Sequence, residues 1–412
     1  LNFTAVSKGG GGVFQVIPWY RYSRIAYDGD LANDVLGTQP DPNTGLPVNN
    51  IGLRQDRASE YVGLRLSQLF ASKYHAVKVG ADFSRENLDA NETFAQFGQP
   101  NIYTSTSQAG SQVGVYVQDK WTPSRAISVN GGLRYDRSSG FVGDHMISPR
   151  IGVNLAPDDK NIVHFYYGRI YAAPALEDVR QACVLLNGCP TEPVYDLKPE
   201  KDAYWEMGVA HTFSPLMTGY VNYFNRTAVN VLDTTQLLNT PLFAVFNNRR
   251  GRAEGVELRL QGRTRTNADT YFLSTTLSSA QAQGVSGSTF LFPPDAVSDT
   301  SWQPEDHDQT LAANAAYTHR FGASNKWFAT LEGEYGSGYP VQFESGEGRL
   351  PSHTTLDLGI GRDPSSADHS LGFALDVDNL LNHQYFIKIA NGFNTTQISA
   401  GRKVLLRLTA PL

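Results

Sequence analysis

The chain has 412 residues, 41% hydrophobic and 18% charged, with a net charge of −6. No run approaches the roughly 18 apolar residues of a membrane-spanning helix, and no Lys/Arg cluster provides the basic footprint of a nucleic-acid surface. The densest basic knot, Arg249, Arg250 and Arg252, reads as solvated loop charge.

In chain order the pattern is of strands. The first runs from about Gly12 to Tyr27 and is dense in aromatics; Pro18 gives it the character of an edge or bulge. A polar loop, Asp28 to Asn50, leads to strands at about Leu53–Phe70 and Tyr74–Asn87, and a second loop is expected over Leu88–Tyr103. The clearest stretch follows, from Ser111 to Leu155. Val113, Val115, Val117 and Trp121 share one face, against Gln112, Gly114, Tyr116, Gln118 and Lys120 on the other. Beyond a turn at Thr122-Pro123-Ser124, Ile127, Val129, Leu133 and Tyr135 alternate with Ser128, Asn130, Arg134 and Asp136. Ile151, Val153 and Leu155 then alternate with Arg150, Gly152 and Asn154. Strict period two over such lengths is a strand signal.

A strand at Ile162–Tyr171 precedes the longest irregular region, Ala172–Lys201, in which Ala175–Leu185 could form a helical turn or two. Later strands are expected at Ala203–Phe213, Met217–Leu232, Gly251–Arg263, Asp269–Ala282, His307–Arg320, Lys326–Gly336, Ser352–Arg362, Ser370–Phe386 and Ser399–Thr409. Long loops fall at Asp233–Arg250, Gln283–Glu305, Ser337–Leu350 and Ile387–Gln397. The total is about sixteen strands, joined by connections that alternate short and long. One greasy and one wet face, with strands too long for a soluble sandwich, predict an all-β fold: an antiparallel up-and-down transmembrane β-barrel in a lipid bilayer.

The polar face carries the residues that would line such a barrel's lumen: Arg134, Asp136, Arg150, Glu206, Glu257, Arg259 and Asp376. They can pair across strands, dock a lumen-filling domain or line a solute path. The nine histidines show no metal-binding spacing, and no Ser/His/Asp set or GxSxG is present. No catalytic residue, cofactor or metal site is therefore expected. Acidic clusters such as Asp28-Gly29-Asp30, Asp41–Gly45 and Asp158-Asp159 read as turns in preference to calcium loops. Cys183 and Cys189 stand close enough to close a small ring, which in an exported protein is a disulfide staple and in a reducing compartment a redox or metal pair.

Several segments resemble, in order, the C-terminal part of the barrel of a TonB-dependent outer-membrane receptor. Tyr116-Val117-Gln118-Asp119-Lys120-Trp121 followed by Gly132-Leu133-Arg134-Tyr135-Asp136 is similar to that family's recurrent hairpin. Ser148-Pro149-Arg150, Leu197-Lys198-Pro199-Glu200, Glu206-Met207-Gly208, Glu254-Gly255-Val256-Glu257, Asp378-Asn379-Leu380-Leu381-Asn382-His383-Gln384-Tyr385 and Gly401-Arg402 resemble its later elements. The resemblance implies a barrel of twenty-two strands with a plug in its lumen. Residues 1–412 would then be a single barrel domain, a fragment without its plug and first strands. It further implies energised uptake of a scarce solute of siderophore, cobalamin or glycan type, with the TonB energy-transducing complex acting through that plug. The alternative is a passive, sixteen-stranded porin-type channel.

Overall fold

A backbone inside hydrocarbon must satisfy all its hydrogen bonds internally, so strands that cross a bilayer need neighbours on both sides. The computed structural model describes residues 5–9, 12–31, 51–96, 100–140, 142–175, 197–236, 243–287, 294–322, 325–343, 346–364, 370–389 and 396–410. One antiparallel meander dominates them. It runs through β1 (Ala5–Gly9), β2 (Gly12–Asp28), β3 (Ile51–Ala71), β4 (His75–Gln96), β5 (Ile102–Ser124), β6 (Ile127–Ser139), β7 (Asp144–Leu155) and β8 (Asn161–Ala172). It continues through β9 (Glu200–Ser214), β10 (Met217–Gln236), β11 (Phe243–Arg263) and β12 (Asp269–Gly287). A short helix, α1 (Pro294–Ser298), precedes β13 (Trp302–Pro304), β14 (Leu311–Phe321) and β15 (Trp327–Gly336). After the small hairpin β16 (Pro340–Phe343) and β17 (Gly346–Arg349) come β18 (His353–Arg362) and β19 (Gly372–Asp378). A ribbon of β20 (Phe386–Lys388) and β21 (Gln397–Ile398) leads to β22 (Lys403–Thr409).

Each wall strand pairs with its neighbours in sequence: β12 meets both β13 and β14, β15 meets β18, and β19 meets β22. The expected up-and-down all-β barrel architecture is therefore present, and the expected strands all have counterparts; β1 was not foreseen. Its polarity is inside out relative to a soluble protein. Val113, Val115 and Val117 are 41–46% exposed, as are Ile151, Leu258 and Leu273 to similar degrees. A sandwich would bury these side chains in a dry centre; here they form an outer apolar band.

Several boundaries differ from expectation. Residues 88–103 are not a loop: β4 continues to Gln96 and β5 starts at Ile102. The segment is polar, but Leu88, Ala90 and Glu92 are buried while Asp89 and Asn91 are exposed, so period two persists. Strand also replaces parts of the loops expected at 233–250 and 283–305, because β10, β11 and β12 reach Gln236, Phe243 and Gly287. The loop expected at 337–350 holds the β16–β17 hairpin. The turn placed at Thr122–Ser124 lies one step later, at residues 125–126, after a register irregularity.

The strand expected over Ser370–Phe386 stops at Asp378 because Asn379 and Asn382 both take φ of 51°, a left-handed conformation that Asn tolerates better than most residues. The Asn379 side chain donates to the carbonyls of His383 and Ala400, both at 3.0 Å, and accepts from the His383 amide at 2.9 Å. Two other strands, β14 and β22, likewise begin later than expected, at Leu311 and Lys403. The helical turn considered within 175–185 falls almost wholly outside the described residues.

The face assignment makes a direct prediction. Val115→Arg puts a charge on the lipid side and should destabilise the barrel by about 2–4 kcal/mol, whereas Gln118→Ala on the opposite face should stay within about 0.5 kcal/mol. Urea titration in lipid bilayers, read by the mobility difference of folded and unfolded barrel on gels, measures both. Equal midpoints would refute the assignment.

Candidate functional site

Pairing register puts the polar residues of β3 to β9 on the face opposite the valine band. Asp82 of β4, Gly114 of β5 and Asp136 of β6 lie in one cross-strand row. Because Gly114 has no side chain, Arg134 of β6 reaches over β5. It donates to Asp82 at 2.8 Å and to Asp136 at 2.8 Å, and its guanidinium stands 5.6 Å from the Tyr116 ring centre. Asp82 also accepts from Arg65 of β3 at 2.9 Å. Four alternating charges thus span the four adjacent strands β3 to β6, with Trp19 and Tyr116 packed over Gly63 and Gly80 nearby.

Beyond this network Arg150 lies opposite Gly132 and Gly168. A cavity of about 500 Å³ lies between it and the Arg65–Asp136 network, and another of about 440 Å³ lies towards Glu206 and His164. Glu206 accepts from the Tyr204 hydroxyl at 2.6 Å. Glu257 accepts from Asn222, which also meets His164 at 3.0 Å. Arg259 lies over the Phe272 ring at 5.0 Å and donates to Gln261. Asp376, near the far edge of the sheet, pairs with Arg407 of β22 at 3.2 Å.

Of the seven polar residues singled out from the sequence, the structure therefore joins Arg134 with Asp136, brings Arg150 and Glu206 to one cavity, and leaves Glu257, Arg259 and Asp376 elsewhere. Arg65 and Asp82 were missed, although the same period-two reading applied to β3 and β4 would have found them. Cys183 and Cys189 lie outside the described residues, as do Asp41–Gly45. Asp28 pairs with Arg54 at 2.8 Å. Asp158 caps its turn by accepting from the amides of Lys160 and Asn161; the Asn161 side chain and these amides hold its carboxyl below the usual range. Among the described residues no three His, Cys, Asp or Glu side chains are placed to hold a metal ion.

A second polar assembly sits on the long-loop rim. Arg226 pairs with Asp202 at 2.9 Å and with Glu200, whose other oxygen accepts the Leu232 amide at 2.7 Å. Asn247, 1% exposed, clasps both the amide and the carbonyl of Lys198 and so fixes the Leu197–Glu200 segment. Arg349 binds the buried carboxylate of Asp308 at 2.5 Å. Beside them, burial pushes the Glu305 carboxyl up to about 7, with the Asp233 and Asp306 carboxylates adding to the effect. Burial acts on Asp306 too, but Lys388, donating at 2.9 Å, and His307 hold it below the usual carboxylate range.

An apolar outer band, a charged inner face and a loop-bearing rim together define an outer-membrane β-barrel of the receptor type. The family model described as "TonB dependent receptor-like, beta-barrel" matches residues 5–380. The chain belongs to that family and to the outer membrane. No curated protein matches the sequence. Among solved structures it resembles the ferric yersiniabactin uptake receptor FyuA of Yersinia pestis, with 12% identity and a TM-score of 0.70, covering 99% of this chain and 60% of that one. It also resembles the FrpB iron transporter of Neisseria meningitidis, with 16% identity and a TM-score of 0.70, covering 98% and 63%. The copper transporter OprC shows 14% identity and a TM-score of 0.67, covering 96% and 62%. The chain thus spans about three fifths of the length of these proteins.

Two tests follow from this geometry. A Cβ on Gly114 would sit 2.1 Å from Nη2 of Arg134, so Gly114→Ala should break the bridge to Asp82 and cost about 1–3 kcal/mol. The same bilayer titration detects it, and an unchanged midpoint would show the bridge to be energetically idle. At the rim, a raised carboxyl stabilises the folded state fully below its unfolded value of 4.5 and loses that contribution as pH rises through about 7. Amide exchange across residues 302–310, corrected for intrinsic rates, should accelerate between pH 5 and pH 8. Glu305→Gln should flatten that dependence; an identical profile would assign it to other groups.

Proposed function

We propose that this chain forms most of the wall of a receptor for energised uptake of a scarce solute across the outer membrane, with a siderophore-type metal chelate as the leading class and cobalamin or a glycan as the others. The observation that carries the reading is the family match over residues 5–380 on a wall with a charged inner face. A polar inner wall of fixed ion pairs suits a lumen occupied by polypeptide. In this family the occupant is a plug, through which the TonB complex of the inner membrane would draw energy. The long-loop rim, with its ordered carboxylates and cations, would supply the capture surface. No covalent chemistry enters the cycle.

The passive-channel reading requires sixteen strands to close on themselves. Among the described residues β1 pairs with β2 and β22 with β19, and no pairing joins β1 to β22. The uptake reading is therefore preferred.

Expression of the natural full-length protein in cells lacking their own chelate receptors is the test. Accumulation of a labelled ferric siderophore, cobalamin or oligosaccharide should be saturable and should vanish when the proton-motive force is collapsed or the TonB partner is deleted. Flux that is unsaturable and indifferent to both treatments would establish the diffusion channel instead.

A further inference from the structure

Among the described residues the Arg150 guanidinium of the inner wall stands outside every ion pair. Arg150 lies in the middle of β7 between Gly132 on β6 and Gly168 on β8, two residues without side chains, with the Tyr166 ring of β8 leaning over Gly168. Among the described residues it has no hydrogen-bond or ion-pair partner, although Arg65 and Arg134 on the same face are both held by carboxylates. Glu206 lines the smaller cavity with it but is held by Tyr204. Two residues before Arg150, on the same face, Ser148 is only 2% exposed, and its Oγ has no hydrogen-bond partner. Both residues line the larger cavity, of about 500 Å³.

A buried hydroxyl without a partner and an arginine outside any ion pair, two residues apart on one face and lining the same cavity, mark an anion-binding position. We propose that Arg150 and Ser148 form a seat for a carboxylate presented from within the lumen. The guanidinium fork takes both oxygens of a planar carboxylate, and the Ser148 hydroxyl donates to one of them. Charge sets the preference for a monoanion. Of the charges lining the larger cavity, Arg65, Arg134 and Arg150 fall on the inner register against Asp82 and Asp136, an excess of one positive charge, while Arg137 and Arg169 fall on the opposite register. The incoming group enters from the cavity, whose wall beside Arg150 is kept low by Gly132 and bounded by the Tyr166 ring over Gly168. The seat rests on the reading of this face as a lumen wall. Its carboxylate comes either from polypeptide that fills the lumen or from a soluble carboxylate solute.

Arginine-selective labelling with phenylglyoxal on the natural full-length protein in detergent, with and without citrate, separates the two sources. Peptide mass spectrometry reads the rate of adduct formation at Arg150, with the paired Arg134 as the internal reference and gel mobility as the folding control. Slow labelling without citrate, sped up about fivefold by Ser148→Ala and by about 1 M NaCl, assigns the carboxylate to the protein's own polypeptide. Fast labelling that citrate slows by about fivefold or more, with a weaker effect in Ser148→Ala, assigns it to a soluble ligand. Labelling that is fast regardless of citrate overturns the seat. So does labelling that stays slow in high salt and in Ser148→Ala, which is steric cover. The readout does not involve transport, so a protein that carries no solute yet protects Arg150 in this way would refute the uptake reading and keep the seat.

Discussion

The whole molecule answers to the absence of water in the bilayer, which leaves each peptide group only another peptide group to bond to. Neighbouring strands meet that demand with a continuous antiparallel ladder, and the ladder dictates the side-chain arrangement, since successive residues must point to opposite faces. Valines and leucines then serve the lipid, while arginines, carboxylates and amides face inward. Local packing works within this rule. Gly114 gives up its side chain so that Arg134 can bridge to Asp82 on the strand beyond, and Gly63 and Gly80 make way for Trp19 and Tyr116.

Strand length divides the wall into two zones. About 9–11 residues cross a bilayer as a tilted strand, yet β3, β4 and β5 have 21, 22 and 23 residues, and β11 has 21. The excess stands on the long-loop side. Much of what is buried in the molecule gathers there, including Leu53, Leu88, Asn247 and His353. The rim is therefore scaffolded by ladder hydrogen bonds, and its charged groups, such as Glu200, Asp202, Asp308 and Arg349, are held at fixed positions. On the proposed uptake reading, such a rim is the surface that would capture the solute before it is moved.

Two of the segments that resemble the receptor family act as corners of this scaffold. Leu197–Glu200 is tied down by Asn247 from β11, and the turn after β19 is built around the left-handed Asn379 and its three side-chain hydrogen bonds. Their residue types are explained by backbone geometry and local hydrogen bonding. This accounts for how the chain shares a fold with FyuA and FrpB at 12% and 16% identity, since alternation and a few corners are what the wall requires.

Alternation alone determined the fold class, every wall strand from β2 onward except the three-residue β13, and the face on which Arg134, Asp136, Arg150 and Glu206 lie, because a period of two is a local property of extended chain. The same period, masked by polar composition, ran on through residues 88–96, where a loop was expected. Neither alternation nor spacing could say which charges meet. Arg65 and Asp82 are separated by 17 positions, Asp82 and Arg134 by 52, and Asp308 and Arg349 by 41. Those partnerships arise only when register aligns the strands and glycines clear the path between them. Arg150 shows the same division: its place on the inner face was written in the alternation, but that no described residue pairs with it was decided by tertiary pairing, which set Gly132 and Gly168 beside it.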